Sequence, residues 1–324
     1  MLKRFIFALL PFFFLFGGSE FALRVVGWPK ITSAFEHNTP FWVTDPDLIK
    51  KKFPHKEENR SFNVSTNLDG LRLTSQTPAQ REKSSHRIMT LGCSTTFGWG
   101  VDNPESYPAV LQKYVKEAKY STEIVNGGQP GYTSFQGSIL WDKVLKNYTP
   151  DVVLIGYIVQ DARKAAYSDR SQAILQQDHA FLKSNVLYRS KIYLALRSFL
   201  GDVQIQAKER RQGDDSTGVF RVPPEDYVDN LRSLISRIKE KRGVPVLFGY
   251  PLERTGYTEY HRKILMAAAE ELNVALFDPQ KKMEEASRKE QLYFTNDRGH
   301  ANAKGNEMIA KWVYAFLEQE NLLK

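Results

Sequence analysis

The chain has 324 residues, of which 42% are hydrophobic and 25% charged, an ordinary globular composition that argues against disorder along the whole chain. The formal net charge is +8, but no zinc-finger spacing, RNP-like motif or long Lys/Arg block accompanies it, so we predict no nucleic-acid partner. The single cysteine, Cys93, excludes an intrachain disulfide and a metal site built from several cysteines, and we predict no cofactor.

The first 19 residues have the pattern of an export signal. Lys3 and Arg4 make the first residues positively charged, and residues 5–18 are uncharged and almost wholly apolar. This run is short for a membrane span, which needs about 20 residues. We therefore expect residues 1–19 to be a cleaved signal peptide or a retained membrane anchor. Both place the rest of the chain outside the cytoplasm, secreted, periplasmic or attached to the membrane. The alternative, a buried N-terminal helix, would need burial on every side.

Residues 20–85 lack a regular pattern. They are rich in aromatic residues and punctuated by prolines, with turn signals at residues 45–47 and 69–70. We interpret them as an irregular N-terminal extension with short strands that packs on the main domain. Its last part, residues 76–85, is polar and typical of a linker.

From residue 86 to residue 320 strands alternate with helices, which favours a three-layer α/β/α fold with a parallel sheet. The predicted strands are Arg87–Gly92, Glu123–Gly127, Asp151–Tyr157, Val244–Tyr250 and Val274–Phe277. The predicted helices are Ser106–Ala118, Ser134–Leu145, Pro224–Lys241, Tyr257–Leu272 and Asn302–Glu318. Residues 163–222 interrupt the alternation, and we interpret them as a partly helical insertion near the entrance of the site.

Polar residues follow the strands where parallel sheets bind their ligands, at the carboxyl ends. Ser94 follows the first strand, Gly131 the second and Gln160 the third. Asp297 and His300 stand just before the last helix. A histidine can remove the proton of a serine hydroxyl, and an aspartate can hold its ring. Backbone N–H groups of Ser94 and Gly131 can stabilise the oxyanion that follows.

These segments resemble the ordered blocks of the SGNH/GDSL hydrolase family. That family has Gly-Asp-Ser, a Gly-containing turn, Gly-x-Asn-Asp and Asp-x-x-His; the corresponding segments here are Gly92–Ser94, Asn126–Ser134, Ile158–Asp161 and Asp297–His300. The resemblance implies a flavodoxin-like SGNH fold over residues 86–320. It also implies an esterase, deacetylase or lipase-like activity through a triad of Ser94, His300 and Asp297.

Two positions depart from the family. Cys93 replaces an Asp that is structural in the family, and Ile158 and Gln160 stand where the third block has Gly and Asn. The family Asn donates its side-chain amide to the oxyanion. Gln160 carries the same amide one methylene further out, and we expect it to complete the oxyanion hole with Ser94 and Gly131. The alternative is a structural Gln that bonds the loop backbone.

Several alternatives stay open at this point. Cys93 could be the nucleophile, although it points away from Ser94 if the turn continues the strand. His261 and His179 are weaker candidates for the base, and we interpret both as surface residues. The expected substrate is an acyl ester of a glycan or lipid. An O-acyltransferase would use the same triad, and a non-catalytic binding module could be built on the same fold.

Overall fold

The computed structural model describes residues 2–28, 51–54, 61–74, 86–165, 167–173, 187, 190–199, 218–295 and 297–324. The chain divides into two compact units. The smaller comprises residues 1–40 and 170–214, and the larger comprises residues 41–169 and 215–324. The turn expected at residues 45–47, the linker expected at residues 76–85 and His179 lie outside the described residues.

Helices and strands follow one another along most of the described chain. The helices include α1 (Leu2–Val26), α2 (Ser94–Phe97), α3 (Tyr107–Glu117), α4 (Ser134–Lys143), α5 (Lys191–Phe199), α6 (Pro224–Glu240), α7 (Glu259–Glu271), α8 (Gln280–Ser287) and α9 (Ala303–Gln319). The strands include β1 (Lys51–Pro54), β2 (Ser61–Val64), β3 (His86–Gly92), β4 (Thr122–Gly128), β5 (Val152–Gly156), β6 (Lys164–Ala165), β7 (Val219–Phe220), β8 (Val244–Phe248), β9 (Ala275–Phe277), β10 (Tyr293–Phe294) and β11 (Asp297–Ala301).

The larger unit is built on a five-stranded sheet in the order β4-β3-β5-β8-β9, with every neighbouring pair parallel. Counted along the chain this is the order 2-1-3-4-5 of a flavodoxin-like, doubly wound fold. The predicted α/β/α fold is confirmed. All five predicted strands and all five predicted helices are present, with ends that shift by at most two residues.

Helices cover both faces of the sheet. The chain crosses from β3 to β4 in one direction and from β4 to β5 in the other, so right-handed connections place α3 and α4 on opposite faces. Helix α9 packs against α3, and α6 packs against α4. Because strands β3 and β5 are covered on both faces, every residue in them is buried. This explains why the sequence of β5 is an apolar run rather than an alternating pattern.

In the smaller unit, Glu20 of α1 caps the start of α5. Its carboxylate accepts hydrogen bonds from the backbone N–H groups of Lys191 (2.9 Å) and Ile192 (3.0 Å) and from the Ser190 hydroxyl (3.0 Å). Burial acts to raise the pKa of Glu20, but these bonds and one from Arg24 outweigh it and lower the pKa to about 2.

Within the described residues, no helix combines the length and the apolar character needed to cross a membrane.

Residues 61–74 of the N-terminal extension are part of the larger unit and pack beside α2 and the turn after it. Phe62 and Val64 form a small apolar cluster with Phe97 and Trp99. The fully buried Arg72 holds the turn that follows α2. Its guanidinium donates to one side chain, Asn103 Oδ1 (3.0 Å), and to the carbonyls of Phe97 (3.1 Å), Gly98 (2.5 Å) and Val101 (2.6 Å).

Asp161 is a fully buried carboxylate beneath the start of α4. One oxygen, Oδ1, accepts from the backbone N–H of Ser134 at 2.8 Å, while Oδ2 has no hydrogen-bond partner. Burial raises the pKa of Asp161 to about 6, although the bonds with Ser134 and the charge of Arg221 oppose the rise. The folded protein therefore favours the neutral carboxyl in weakly acidic solution.

We predict that Arg72→Met lowers the free energy of unfolding by about 2–4 kcal/mol, because the carbonyls of Phe97, Gly98 and Val101 each lose a charged donor. Urea unfolding of the full chain measures this change. Arg232→Met is the matched control, since Arg232 makes exposed ion pairs with Asp229 and Glu271. Exposed pairs of this kind contribute about 1 kcal/mol or less. Equal unfolding midpoints for both variants would contradict the structural role of Arg72.

We predict that Asp161→Asn makes the protein more stable at neutral pH. An aspartate with an ordinary pKa of 3.8 loses its proton in the unfolded chain before the folded form does, so the contribution of Asp161 to stability falls as pH rises from about 4 to about 6. This difference corresponds to at most about 3 kcal/mol. Chemical unfolding at pH about 4 and about 7.5 measures it: the variant should match the wild type in acid and exceed it at neutral pH. A gap of the same size at both pH values would refute the explanation.

Candidate active site

Ser94 lies just beyond the carboxyl end of β3, as the first residue of the short helix α2. Its carbonyl oxygen accepts from the backbone N–H groups of Gly98 (3.0 Å) and Trp99 (2.9 Å), which closes the turn. Gly98 has a φ of +86°, a conformation that favours glycine. The side chain of Ser94 is nearly buried, with 6% of the residue exposed. The serine is therefore held rigidly at the edge of the sheet.

Two glycines allow α2 to lie against the ends of β3 and β4. A Cβ added to Gly92 would lie 2.1 Å from Thr96 Oγ1, and one added to Gly128 would lie 2.4 Å from the Phe97 nitrogen. No other residue fits either position without moving the helix. Close packing of α2 on the strand ends thus fixes the position of Ser94.

Asp297 and His300 lie on β11, which pairs in antiparallel fashion with β10. They were expected just before the last helix, where they are, but the strand itself was not predicted. At the end of β11, Asn302 caps α9 by accepting from the Gly305 N–H at 2.9 Å. A Cβ on Gly305 would lie 2.1 Å from the Leu292 carbonyl oxygen. The start of α9 is therefore packed against the segment before β10, which holds β11 in place.

The structure joins Ser94, His300 and Asp297 in one chain of hydrogen bonds. The Ser94 Oγ and His300 Nε2 atoms are 2.8 Å apart, and His300 Nδ1 is 2.8 Å from Asp297 Oδ2. An ionised carboxylate only accepts hydrogen bonds, so the proton of the neutral ring belongs on Nδ1. Nε2 is then the acceptor for the Ser94 hydroxyl. This is the tautomer that a general base needs.

Asp297 keeps its charge despite partial burial. Burial acts to raise the pKa of Asp297, but the hydrogen bond and charge of His300 act against it, together with the Gly299 N–H and the nearby charge of Arg163. The net effect lowers the pKa of Asp297 below its ordinary value. The carboxylate is therefore ionised near neutral pH and can stabilise a positively charged imidazole.

Gly131 and Gln160 lie in the loops that flank Ser94. Strand β3 has β4 on one side and β5 on the other, so the loops after β4 and β5 border the end of β3. Gly131 has a φ of +78°, and no atom lies within 4 Å of where a Cβ would stand. The backbone conformation rather than a lack of space therefore calls for glycine at this position.

Arg221, which was not among the predicted site residues, connects the two flanking loops. Its Nη1 atom donates to the Gly131 carbonyl (2.8 Å) and to Gln160 Oε1 (2.9 Å). Its Nε and Nη2 atoms form a two-pronged pair with Asp169, at 2.9 and 2.8 Å. Both residues belong to the segment interpreted as an insertion, and no motif in that segment singles them out.

Neither Cys93 nor His261 is part of the hydrogen-bonded chain of Ser94, His300 and Asp297. Cys93 is buried in the apolar core with 1% exposure, and its Sγ lies 3.2 Å from Thr95 Oγ1. The prediction that His261 is a surface residue is wrong. Its ring packs against Phe220 and Tyr227, and its Nε2 lies 2.9 Å from the Val222 carbonyl oxygen. Burial lowers the pKa of His261.

Metal chemistry has no candidate site in the described part of the chain, where no group of three or more His, Cys, Asp or Glu side chains is placed to hold an ion. The arrangement of Ser94, His300 and Asp297 can perform nucleophilic attack on a carbonyl without one.

Comparisons with known proteins show to which family the chain is similar. The model of the GDSL-like Lipase/Acylhydrolase family matches residues 90–308. Similar solved structures include a lipase/acylhydrolase from Enterococcus faecalis (16% identity, 74% of this chain and 97% of that chain covered, TM-score 0.48). They also include the psychrotrophic esterase EstA from Pseudoalteromonas sp. (16%, 72% and 97%, TM-score 0.47). A third is a catalytic mutant of the acetylxylan esterase Axe2 from Geobacillus stearothermophilus (17%, 72% and 93%, TM-score 0.45).

No curated protein matches the sequence. The family match nevertheless spans more than half of the chain, and it contains Ser94, Gly131, Gln160, Asp297 and His300. The protein therefore belongs to the GDSL-like lipase/acylhydrolase family and is a hydrolase that acts on ester bonds.

Proposed function

We propose that the protein is an exported serine esterase in which Ser94 is the nucleophile, His300 the general base and Asp297 the residue that orients the base. The observation that carries the proposal is the hydrogen-bonded chain from Ser94 Oγ to His300 Nε2 and from Nδ1 to Asp297, with both distances 2.8 Å. An ordinary helix-capping pair would not bring an imidazole onto a serine hydroxyl 206 residues away in the sequence.

In the first step, Ser94 Oγ forms a bond to the acyl carbon while its proton passes to His300 Nε2. The π electron pair of the carbonyl moves to the oxygen and creates an oxyanion. The Ser94 and Gly131 backbone N–H groups and the Gln160 side-chain amide are the proposed donors to it. The ionised Asp297 stabilises the imidazolium that His300 has become.

In the second step, the oxyanion electron pair re-forms the carbonyl and the ester C–O bond breaks. The proton on His300 Nε2 passes to the departing alkoxide, which leaves as the alcohol. Water then attacks the acyl-Ser94 ester by the same route in reverse, with His300 again as base, and the free acid leaves. In every step His300 Nε2 takes up or releases the proton, and the hydrogen bond from Nδ1 to Asp297 keeps the ring in place.

The proposed substrate is an acyl ester carried by a glycan or lipid outside the cytoplasm. Support for the location comes from Lys3, Arg4 and the apolar residues 5–18, which have the order of an export signal. The proposed substrate class follows from the proposed location, because glycans and lipids are the molecules outside the cytoplasm that carry acyl esters.

We predict that Ser94→Ala abolishes labelling by a fluorophosphonate probe and lowers kcat for p-nitrophenyl acetate by at least about 1000-fold. The probe reacts only with an activated hydroxyl or thiol, and alanine has neither. Labelling of the purified protein is read by mass spectrometry. A circular dichroism spectrum that matches the wild type shows that the fold is retained.

Cys93→Ala is the matched control, because Cys93 is the neighbouring residue and the chain's other possible nucleophile. This variant should label like the wild type. Labelling that survives Ser94→Ala but is lost in Cys93→Ala would assign the nucleophile to Cys93 and reject the proposal.

Product analysis with a sugar acceptor present distinguishes hydrolysis from acyl transfer. Release of the free acid supports hydrolysis, and transfer of the acyl group to the sugar hydroxyl supports an acyltransferase.

We predict that alkaline phosphatase fused after Lys324 is active in a bacterial host. The phosphatase folds into its active form only outside the cytoplasm. Replacing both Lys3 and Arg4 by Glu should lower the phosphatase activity, since positive charge before an apolar segment sets its orientation. The mass of the fusion protein tells whether residues 1–19 are removed. An inactive phosphatase together with an active β-galactosidase fusion at the same site would overturn the proposed export.

A further inference from the structure

We propose that Arg221 is a positioning residue that fixes the orientation of the Gln160 carboxamide and thereby the N–H donor that Gln160 presents to the oxyanion. The inference rests on the proposed function, in which an oxyanion forms beside Ser94. It adds a residue outside the triad and outside the oxyanion hole itself.

The guanidinium of Arg221 has an acceptor for each of its five N–H donors. Nε donates to Asp169 Oδ1, and Nη2 donates to Asp169 Oδ2 and to Gln136 Oε1 (3.2 Å). Nη1 donates to the Gly131 carbonyl and to Gln160 Oε1. With 8% of the residue exposed, protein groups have replaced water around this cation. Its position is therefore set by five directional bonds.

These bonds decide which way the Gln160 amide faces. A carboxamide has an acceptor oxygen and a donor NH₂ group of nearly the same shape, so its orientation must follow from its partners. The guanidinium of Arg221 only donates. The oxygen of Gln160 must therefore face it, because the reversed amide would bring two donors together. The NH₂ group is then turned away from Arg221, and it is the donor that we assign to the oxyanion.

The same atom also restrains the second loop. Nη1 of Arg221 contacts Gly131 in the loop after β4 and Gln160 in the loop after β5, and these loops border Ser94 on its two sides. The bond to the Gly131 carbonyl is thus an anchor for Nη1 that does not involve Gln160.

The position of Arg221 does not depend on Gln160. Asp169, its two-pronged partner, accepts from the Thr133 hydroxyl at 2.7 Å and donates its backbone N–H to the Arg221 carbonyl at 2.7 Å. The backbone N–H of Arg221 donates to the Arg163 carbonyl at 2.7 Å. Since these contacts hold Arg221 from the other side, the direction of influence runs from Arg221 to Gln160.

A residue that merely stabilised the fold would have different effects. Its loss would lower the melting temperature without separating kcat from KM, and the loss would not depend on what stands at position 160. A positioning residue should lower kcat far more than it raises KM, because the donor it orients acts most strongly in the transition state. Its effect should also shrink when the Gln160 amide is removed.

The experiment compares Arg221→Lys, Gln160→Ala and the double variant in the full chain, with kcat and KM for p-nitrophenyl acetate as the readout. Lysine keeps the charge but has three donors and no planar fork, so it cannot satisfy Asp169 and both loops at once. We expect Arg221→Lys to lower kcat by about 10- to 100-fold with KM changed by less than about 3-fold. In the Gln160→Ala background the same substitution should lower kcat by less than about 3-fold.

Arg87→Lys is the matched control. Arg87 is also a buried arginine, bonded to Glu123 and to the Tyr148 carbonyl, but it lies at the start of β3, at the opposite edge of the sheet from Ser94. This variant should lower the melting temperature and leave kcat and KM within about 2-fold of the wild type. A fall in kcat equal to that of Arg221→Lys would assign the effect to lost stability and overturn the proposal.

A second variant keeps the test decisive if Arg221→Lys does not fold. Asp169→Asn retains the guanidinium but weakens its anchor, and we expect a smaller fall in kcat with the same dependence on Gln160. Equal losses of kcat with and without Gln160, in whichever variant folds, would overturn the role of Arg221. A wild-type protein that neither labels with fluorophosphonate nor turns over esters would instead reject the proposed function.

Discussion

Three glycines at the carboxyl ends of the central strands allow helix α2 to pack closely on the sheet, and this packing fixes the position of Ser94. Parallel pairing aligns Gly92 of β3 with Gly128 of β4 on one side and with Gly156 of β5 on the other. Thr96 of helix α2 lies so close that a Cβ on Gly92 or Gly128 would be less than 3 Å from its atoms, and a Cβ on Gly156 would lie 3.0 Å from the Leu91 carbonyl oxygen. The helix can therefore rest directly on the sheet, and Ser94 at its start stands between the loops that continue from β4 and β5.

Segments outside the alternating α/β pattern contribute two buried arginines that hold the backbone near these glycines. Arg72, from the N-terminal extension, binds carbonyls of the turn after α2, and Arg221, which follows β7, binds the Gly131 carbonyl. Buried tight turns leave carbonyls that the sheet and helices do not satisfy, and each costs about 1–3 kcal/mol if it stays without a donor. An arginine can satisfy several of them at once because its five donors are arranged in a rigid plane.

Much of this architecture was predictable from sequence because local signals agreed with the fold. Apolar runs such as Val152–Gly156 indicate strands that are covered on both faces, and the order of Ser94, Gly131, Gln160 and Asp297–His300 along the chain follows the order of the strands. Strand β11 was missed because its five residues contain no apolar alternation and it pairs with a single short partner. Arg221 was missed because its bonds join residues that are 52 to 90 positions apart, and nothing in the local sequence reports such a contact.

The pairing of Gln160 with Arg221 offers a physical reason why the third block can depart from the family pattern. A glutamine has one more rotatable bond than an asparagine, so fixing its amide in a single orientation costs more conformational entropy. A charge-assisted hydrogen bond at the amide oxygen compensates that cost, since bonds of this kind contribute about 1.5–3 kcal/mol. The guanidinium also withdraws electron density from the amide through its oxygen, which makes the N–H groups better donors. On this argument the longer side chain and the arginine belong together: without the cation, an amide at the end of a flexible glutamine would be a poor substitute for the shorter asparagine.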